Sequence, residues 1–385
     1  MLRAIPLGLL QLWNQKLRMV AAILGITFAV VLIFMQIELR QALNDSSVRY
    51  HTAFEYDLAM LSPKTDFLLV SKQFPRNSLY QVQGFEEVRS VTPVYLGMAL
   101  WRHPVEPRRS RSIFVLGFDP TDHGFGQLIT AEDHQKLQTP YRVIFDRLSR
   151  PEYGPVPELM ASRGEVRTEV NDRAFTVVGL YSVGTSFGLD GGIITSDLNF
   201  RRIFHKRRES NIDLGLIRLQ PGAEPAVVRD RVLATLPGDV RVMTREEFQQ
   251  LEIDHWESTT PIGYVFTFGV IMGLVVGAII VYQILYSEVQ DHMKEYATLL
   301  AMGYSYGYLR RVVLQQAIVL ATLGFLPGMA IAIGLFRVTA DATQLPLVMT
   351  LEDAASVFGL TLGMCIFSGS FALRKLRGID PAEVF

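Results

Sequence analysis

Four stretches of this chain, 19–37, 262–286, 312–336 and 354–373, contain no Asp, Glu, Lys or Arg and are dominated by apolar side chains. Each is long enough, at about 1.5 Å per helical residue, to cross a hydrocarbon layer of about 30 Å. They are therefore expected as four transmembrane helices. The first resembles a cleaved secretion signal only superficially. Its apolar core is too long, and Gln36, Glu38 and Arg40 follow where a small-x-small cleavage site would be needed. It reads as a retained anchor. The mean hydropathy of +0.23 over 385 residues, with 49% hydrophobic residues, suits a chain that is part membrane and part water-soluble domain.

Short-loop basic residues set the expected orientation. Arg3, Lys16 and Arg18 precede the first span, Lys294, Arg310 and Arg311 lie between the second and third, and Arg374, Lys375 and Arg377 follow the fourth. The loop between the third and fourth spans has Arg337 against Asp341, Glu352 and Asp353. Both termini are thus expected in the cytoplasm. Residues 1–18 are expected as a cytoplasmic amphipathic helix, 38–261 as a domain outside, 287–311 as a cytoplasmic segment, 337–353 as a short outer loop and 374–385 as a cytoplasmic tail.

Gly269, Gly273 and Gly277 recur every four residues on one face of the second span, and Gly359 and Gly363 do so on the fourth. Such faces let helix backbones approach closely where lipid supplies little hydrophobic drive, either within one chain or across a dimer seam. The spans carry no ionisable residue, which disfavours a proton- or sodium-driven carrier.

Between the first two spans the pattern is mixed α and β. Short apolar or alternating runs at 57–61, 67–70, 112–118, 141–145, 175–180, 214–219 and 240–243 read as strands. Val228, Val232 and Leu236 form a helical stripe between the last two, giving a strand, helix, strand unit. Thr244 and Glu247 have the spacing of a capping box, so a helix is expected to start there and run toward Trp256. Residues 40–54 look helical after the first span. Pro and Gly clusters at 117–126 and 150–157 suggest a sub-module at 120–204 inserted into a porter-like fold built from 42–119 and 205–260. The single cysteine, Cys365, leaves this domain to fold without disulfides.

No catalytic, metal or cofactor site is legible. Gly184-Thr-Ser186-Phe-Gly188 matches a G-x-S-x-G nucleophile elbow, but the glycine-rich run to Gly192 is loop chemistry where a helix is required. The seven histidines show no zinc-ligand spacing, and His51 with Glu55 reads as a solvated helix-face pair. No Gly-Lys dipeptide occurs, hence no phosphate-binding loop, so any ATP is hydrolysed by another polypeptide. The net charge of −1 sets nucleic acid aside. Two basic runs, Arg108-Arg109-Ser-Arg111 and Lys206-Arg207-Arg208, read as solvated turns or as contact sites for anions.

The segment Lys294-Glu-Tyr-Ala-Thr-Leu-Leu-Ala-Met-Gly303 resembles the E-I-G-x-L-x-A-x-G coupling segment of MacB- and FtsX-type ABC permeases, with Ala297 where that family often has glycine. The segments FPR at 74–76, VIFDRLSRPEYGP at 143–155, SFGLDGGIITSDLNF at 186–200, STTPIG at 258–263, YQILY at 282–286, LPLVMT at 345–350 and RKLRGIDPAEVF at 374–385 are similar to the DevC permeases of cyanobacterial heterocyst-glycolipid exporters. Gln316 departs from the acidic residue expected there. The resemblance implies an α-helical membrane protein with four transmembrane helices and a MacB-like α+β extracytoplasmic domain. It implies no ATPase site in the chain itself. It further implies a homodimer with DevA-type ATPases, a DevB-type membrane-fusion adaptor and a TolC-like outer-membrane duct, exporting a glycolipid or similar amphiphile. Glu295, Tyr296, Leu299, Met302, Gly303, Tyr304 and Tyr306 would then carry coupling to the ATPase, on a helix continuous with the second span through 288–301. An FtsX-like regulatory subunit and a LolC-like lipoprotein-releasing permease remain alternatives, as does, more remotely, a hydrolase using Ser186.

Overall fold

The computed structural model describes residues 16–122, 125, 128–236, 238–343, 345 and 347–373. The chain divides into two compact units, one of Met1–Ala42, Ile262–Thr343 and Leu347–Phe385, the other of Leu43–Pro261 and Gln344–Pro346. Most of the helix expected at 1–18, and all of the tail at 374–385, lie outside the described residues.

In the first unit, among the described residues, four helices are long and apolar enough to cross a membrane: Lys16–Ser47, Pro261–Asp291, Tyr306–Thr343 and Leu351–Ala372. They overrun the charge-free stretches because backbone pairing inside a helix does not stop where charge begins. Gly269, Gly273 and Gly277 turn toward the first helix. A Cβ at Gly273 would stand 3.0 Å from Ile33, one at Gly277 would stand 2.8 Å from the Ala29 methyl and 2.5 Å from the Met364 sulfur, and one at Gly269 would strike Gln36. This glycine face is a contact within the chain. Gly324 and Gly328 of the third helix meet Ile26 and Val30 in the same way, a contact not anticipated from the sequence. Two hydroxyls stitch the bundle: Thr27 Oγ1 donates to the Gly324 carbonyl at 3.1 Å, and Ser368 Oγ to the Ala278 carbonyl at 2.9 Å. Gly359 and Gly363, by contrast, have nothing within 4 Å of the place a Cβ would occupy, and they border an open apolar groove beside Leu274, Ala278 and Phe367.

The second unit is a mixed α+β domain. Its strands are β1 (Leu58–Leu61), β2 (Phe74–Pro75), β3 (Val88–Arg102), β4 (Ser110–Phe118), β5 (Arg142–Asp146), β6 (Val166–Val170), β7 (Arg173–Tyr181), β8 (Gly192–Ser196), β9 (Asn211–Ile212), β10 (Leu214–Leu219) and β11 (Arg241–Thr244). Nine form one sheet in the order β11-β1-β10-β3-β4-β8-β5-β7-β6, and β2 pairs with β9 separately. Trp101 near the end of β3 also pairs with Val170 of β6, so β3-β4-β8-β5-β7-β6 curl until their outer edges meet. Residues 120–204 supply β5 to β8 of this curled part.

Both faces of the sheet are buried. Along β4, Ile113 and Val115 join one core with Trp101, Phe145 and the helix residues Leu79, Val156 and Val228. Phe114 and Leu116 join the other with Tyr50, Phe54, Leu137 and Phe248. Burial on two sides explains why several strands read as unbroken apolar runs. The β10, helix, β11 unit forms as expected: β1 lies between the two strands, antiparallel to each, which makes β10 and β11 parallel. Thr244 and Glu247 close a reciprocal capping box on the helix Arg245–Asp254.

Two expectations are corrected, and one strand was not anticipated. Of residues 67–70, Leu68–Val70 is a single turn of 3₁₀ helix after extended Phe67, not a strand, and the Leu68 N–H is bound by the buried Glu252 carboxylate at 2.5 Å. β3, the longest strand at 15 residues, is not legible in the sequence because Pro93 and Gly97 read as punctuation; Pro93 lies opposite Gly215 and Gly97 makes room for the Phe204 ring. His51 is not solvated. It is fully buried, with Nδ1 3.0 Å from the Tyr56 hydroxyl and Nε2 3.6 Å from Glu252. The helix Arg49–Ala53 ends at Phe54, which swings Glu55 off the shared face and onto Arg218 at 3.2 Å.

The glycine geometry separates the two faces experimentally. Gly277→Val overpacks the Ala29–Met364 contact and should cost about 1–3 kcal/mol, read as a lower thermal midpoint of the purified protein. Gly359→Ala fills open space and removes backbone freedom, so it should leave that midpoint unchanged or raised by up to about 1 kcal/mol in stability. Equal effects at both positions would contradict the packing.

Candidate functional site

The segment joining the second and third long helices folds as one short helix, Met293–Ala301, with a tight turn after it. The helix expected to be continuous through 288–301 is broken at His292, whose backbone leaves helical geometry at φ −95°, ψ 17°. Its imidazole sits between two carboxylates: Nδ1 is 2.9 Å from Glu295 and Nε2 3.6 Å from Glu288. Backbone pairing bridges the break, the His292 N–H reaching the Glu288 carbonyl at 3.1 Å and the Tyr296 N–H the His292 carbonyl at 3.0 Å. Arg18 of the first helix is ion-paired with Asp291 beside it.

The turn has the hydrogen bonds of a Schellman cap. The Gly303 N–H donates to the Leu300 carbonyl at 3.0 Å and the Tyr304 N–H to the Leu299 carbonyl at 3.1 Å, with Gly303 at φ +90°. Only glycine adopts that conformation without strain. The third helix then begins at Tyr306.

The seven candidate coupling residues divide into two groups. Tyr296 is buried, against the expectation of a docking role, because it fills a small core with Val289, Leu309 and Val313; Leu299 packs on the rim of that core. Glu295 faces solvent and is held by His292. Met302, Tyr304 and Tyr306 are 63%, 48% and 45% exposed, and the Tyr304 ring lies 5.1 Å from that of Tyr308. The result is a firm apolar and aromatic turn on its own miniature core. Val289, Leu309 and Val313 do not stand out in the sequence, where they look like ordinary span-edge residues.

Other candidates have structural roles. Ser186 lies in a loop: its Oγ accepts from the Gly188 N–H at 3.3 Å, its backbone pairs with Leu189, and the next element is strand β8. Buried Asp146 anchors this loop by accepting N–H bonds from Leu148, Val183 and Gly184, and Arg49 donates to the Thr185 carbonyl at 2.9 Å. Burial pushes the Asp146 carboxyl up, against those N–H groups and Arg49, which pull it down. Arg207 is spent on buried Asp213 and the Leu96 carbonyl. Among the described residues no group of three or more His, Cys, Asp or Glu side chains is placed to hold a metal ion.

Residues 267–381 match the family model described as FtsX-like permease C-terminal. No curated protein matches the sequence. Among solved structures, the chain is similar to the periplasmic region of MacB from Actinobacillus actinomycetemcomitans, at 13% identity over 51% of this chain and 91% of that one, with a TM-score of 0.37. It is also similar to the extracellular domain of the noncanonic ABC-type transporter YknZ from Gram-positive bacteria, at 12% identity over 49% of this chain and all of that one, with a TM-score of 0.34.

The cap makes a local prediction. Gly303→Val forces a β-branched residue to positive φ, costing about 1–2 kcal/mol, so amides of 299–304 should exchange with deuterium several-fold faster while those of the third helix keep their protection. Unchanged exchange across the turn would show that the cap does not hold it.

Proposed function

We propose that this chain is the permease subunit of an ABC-type exporter and that its Met302–Tyr306 turn docks a separate ATPase subunit. The observation that carries this reading is the exposed Met302, Tyr304 and Tyr306 surface, held by the Gly303 cap inside the segment that matches an FtsX-like permease. Interfaces draw their affinity from aromatic and methionine side chains on firm supports. The absence of a Gly-Lys phosphate-binding dipeptide supports ATP hydrolysis by the partner. The distribution of short-loop arginine and lysine supports cytoplasmic termini and an extracytoplasmic α+β domain. On the DevC resemblance, the working unit is a homodimer with DevA-like ATPases, a DevB-like adaptor and a TolC-like duct, and the cargo is a glycolipid or related amphiphile. Within their charge-free stretches the helices present glycine and apolar faces, which favours transmission of motion to the outer domain over a polar conduit through the helices.

The test is ATPase activity of the complex reconstituted with its ATPase, with and without adaptor and lipid. Tyr304→Ala should weaken co-purification of the ATPase by about tenfold, equivalent to about 1.4 kcal/mol, and Gly303→Val should abolish stimulation, both without loss of membrane insertion. Wild-type binding and stimulation in both variants would remove this turn from the coupling role. Orientation is checked separately in a Cys365-free chain. A cysteine at Ser110 should label from outside intact spheroplasts and one at Ser305 should not; the reverse pattern would invert the topology.

A further inference from the structure

Where β3 passes into β4, the hairpin and the segment 152–154 enclose a cleft of about 440 Å³. Its floor includes Trp101, fully buried, whose indole N–H is already committed to the Tyr153 carbonyl at 3.0 Å. Beside it His103 is 8% exposed, and its Nδ1 accepts two backbone N–H groups, from Val105 at 3.2 Å and Glu106 at 2.9 Å. A nitrogen that accepts carries no proton, so the neutral ring holds its hydrogen on Nε2. Nothing among the described residues accepts that hydrogen. Nε2 faces Gly154, at φ +106°, where a Cβ would come within 3.0 Å, so the glycine leaves the donor uncovered.

The charges around this donor are unequally satisfied. Arg109 is paired with Glu106 at 2.9 Å. Arg111 is paired with Asp190 at 2.7 Å and lies 3.7 Å from Glu152, the one acid lining the cleft. Arg108 lines the cleft too, is exposed, and has no acidic partner among the described residues. Nε2 keeps access to solvent, so water, or a ligand that displaces it, accepts this hydrogen. With an unpaired guanidinium beside it, the ligand that satisfies both is an oxyanion.

We propose that this cleft binds a phosphate or carboxylate group, borne by a soluble molecule or by a lipid headgroup. His103 Nε2 donates to one oxygen and Arg108 clamps another. The site is independent of the ATPase-docking turn and stands whatever cargo the chain handles.

Calorimetric titration of the full-length protein in detergent tests it, with inorganic phosphate in one arm and a short-chain, water-soluble phosphatidic acid in the other. The wild type should bind at least one of the two. Binding of phosphate identifies a soluble ligand class, and binding of the phosphatidic acid alone identifies a headgroup. Arg108→Glu removes an exposed side chain without a partner, so its thermal midpoint should stay at the wild-type value while affinity falls at least about tenfold, the expected loss of a charge-assisted hydrogen bond. His103→Asn keeps an acceptor for the two backbone N–H groups, but its shorter side chain places no donor at the Nε2 position, and it should weaken binding similarly. No binding in either arm, or wild-type affinity in Arg108→Glu, overturns the proposal; should His103→Asn prove unstable, Arg108→Glu decides alone.

Discussion

Close backbone approach between the first and second long helices is the constraint on which the membrane unit depends. Lipid is as apolar as leucine, so side-chain burial alone gives little reason for helices to associate. Gly269, Gly273 and Gly277 let the second helix lie against Gln36, Ile33 and Ala29 with no Cβ between them. Gly324 and Gly328 do the same for the third helix against Ile26 and Val30, so the first helix is contacted by glycines from two neighbours. The hydroxyl bonds of Thr27 and Ser368 to backbone carbonyls then fix rotation about each helix axis, because each can form in only one orientation.

What could be read from the sequence followed from how local its cause was. The charge-free spans, the Thr244 capping box and the helical stripe through Val228 and Val232 each rest on residues a few positions apart, and each is present. Several failures had distant causes. Pro93 is paired only with Gly215 of β10, far along the chain, and lies one residue before the β3–β4 ladder begins at Val94, so its missing N–H breaks no bond to β4. Glu252 captures the Leu68 N–H across 184 residues, and it also draws His51 into the core. No pattern confined to one segment carries that information.

The coupling segment shows the same division on a small scale. The turn at Gly303 was legible because positive φ selects glycine locally. The inward turn of Tyr296 was not, because it depends on Val289 before the segment and on Leu309 and Val313 after it. A motif that resembles a docking helix therefore contains residues of two kinds, and the structure separates those that build the support from those left on its surface.

The two basic runs look alike in the sequence, but Arg207 of one and Arg108 of the other meet opposite surroundings in the fold. Arg207 lies over the Phe200 ring at 5.3 Å and reaches the nearly buried Asp213, so its charge is neutralised within the fold. Burial pushes the Asp213 carboxyl up, and the Arg207 guanidinium is the first of the influences opposing that rise. Arg108 has no such carboxylate among the described residues. The distinction lies in whether the fold brings an acid to the arginine, and an acid 6 residues away at Asp213 does so only because the loop before β9 folds back on β3. A charge that the fold leaves unanswered next to an uncovered donor is where a ligand gains most by binding, since it adds two charge-assisted or donor-satisfying contacts without displacing any the protein already makes.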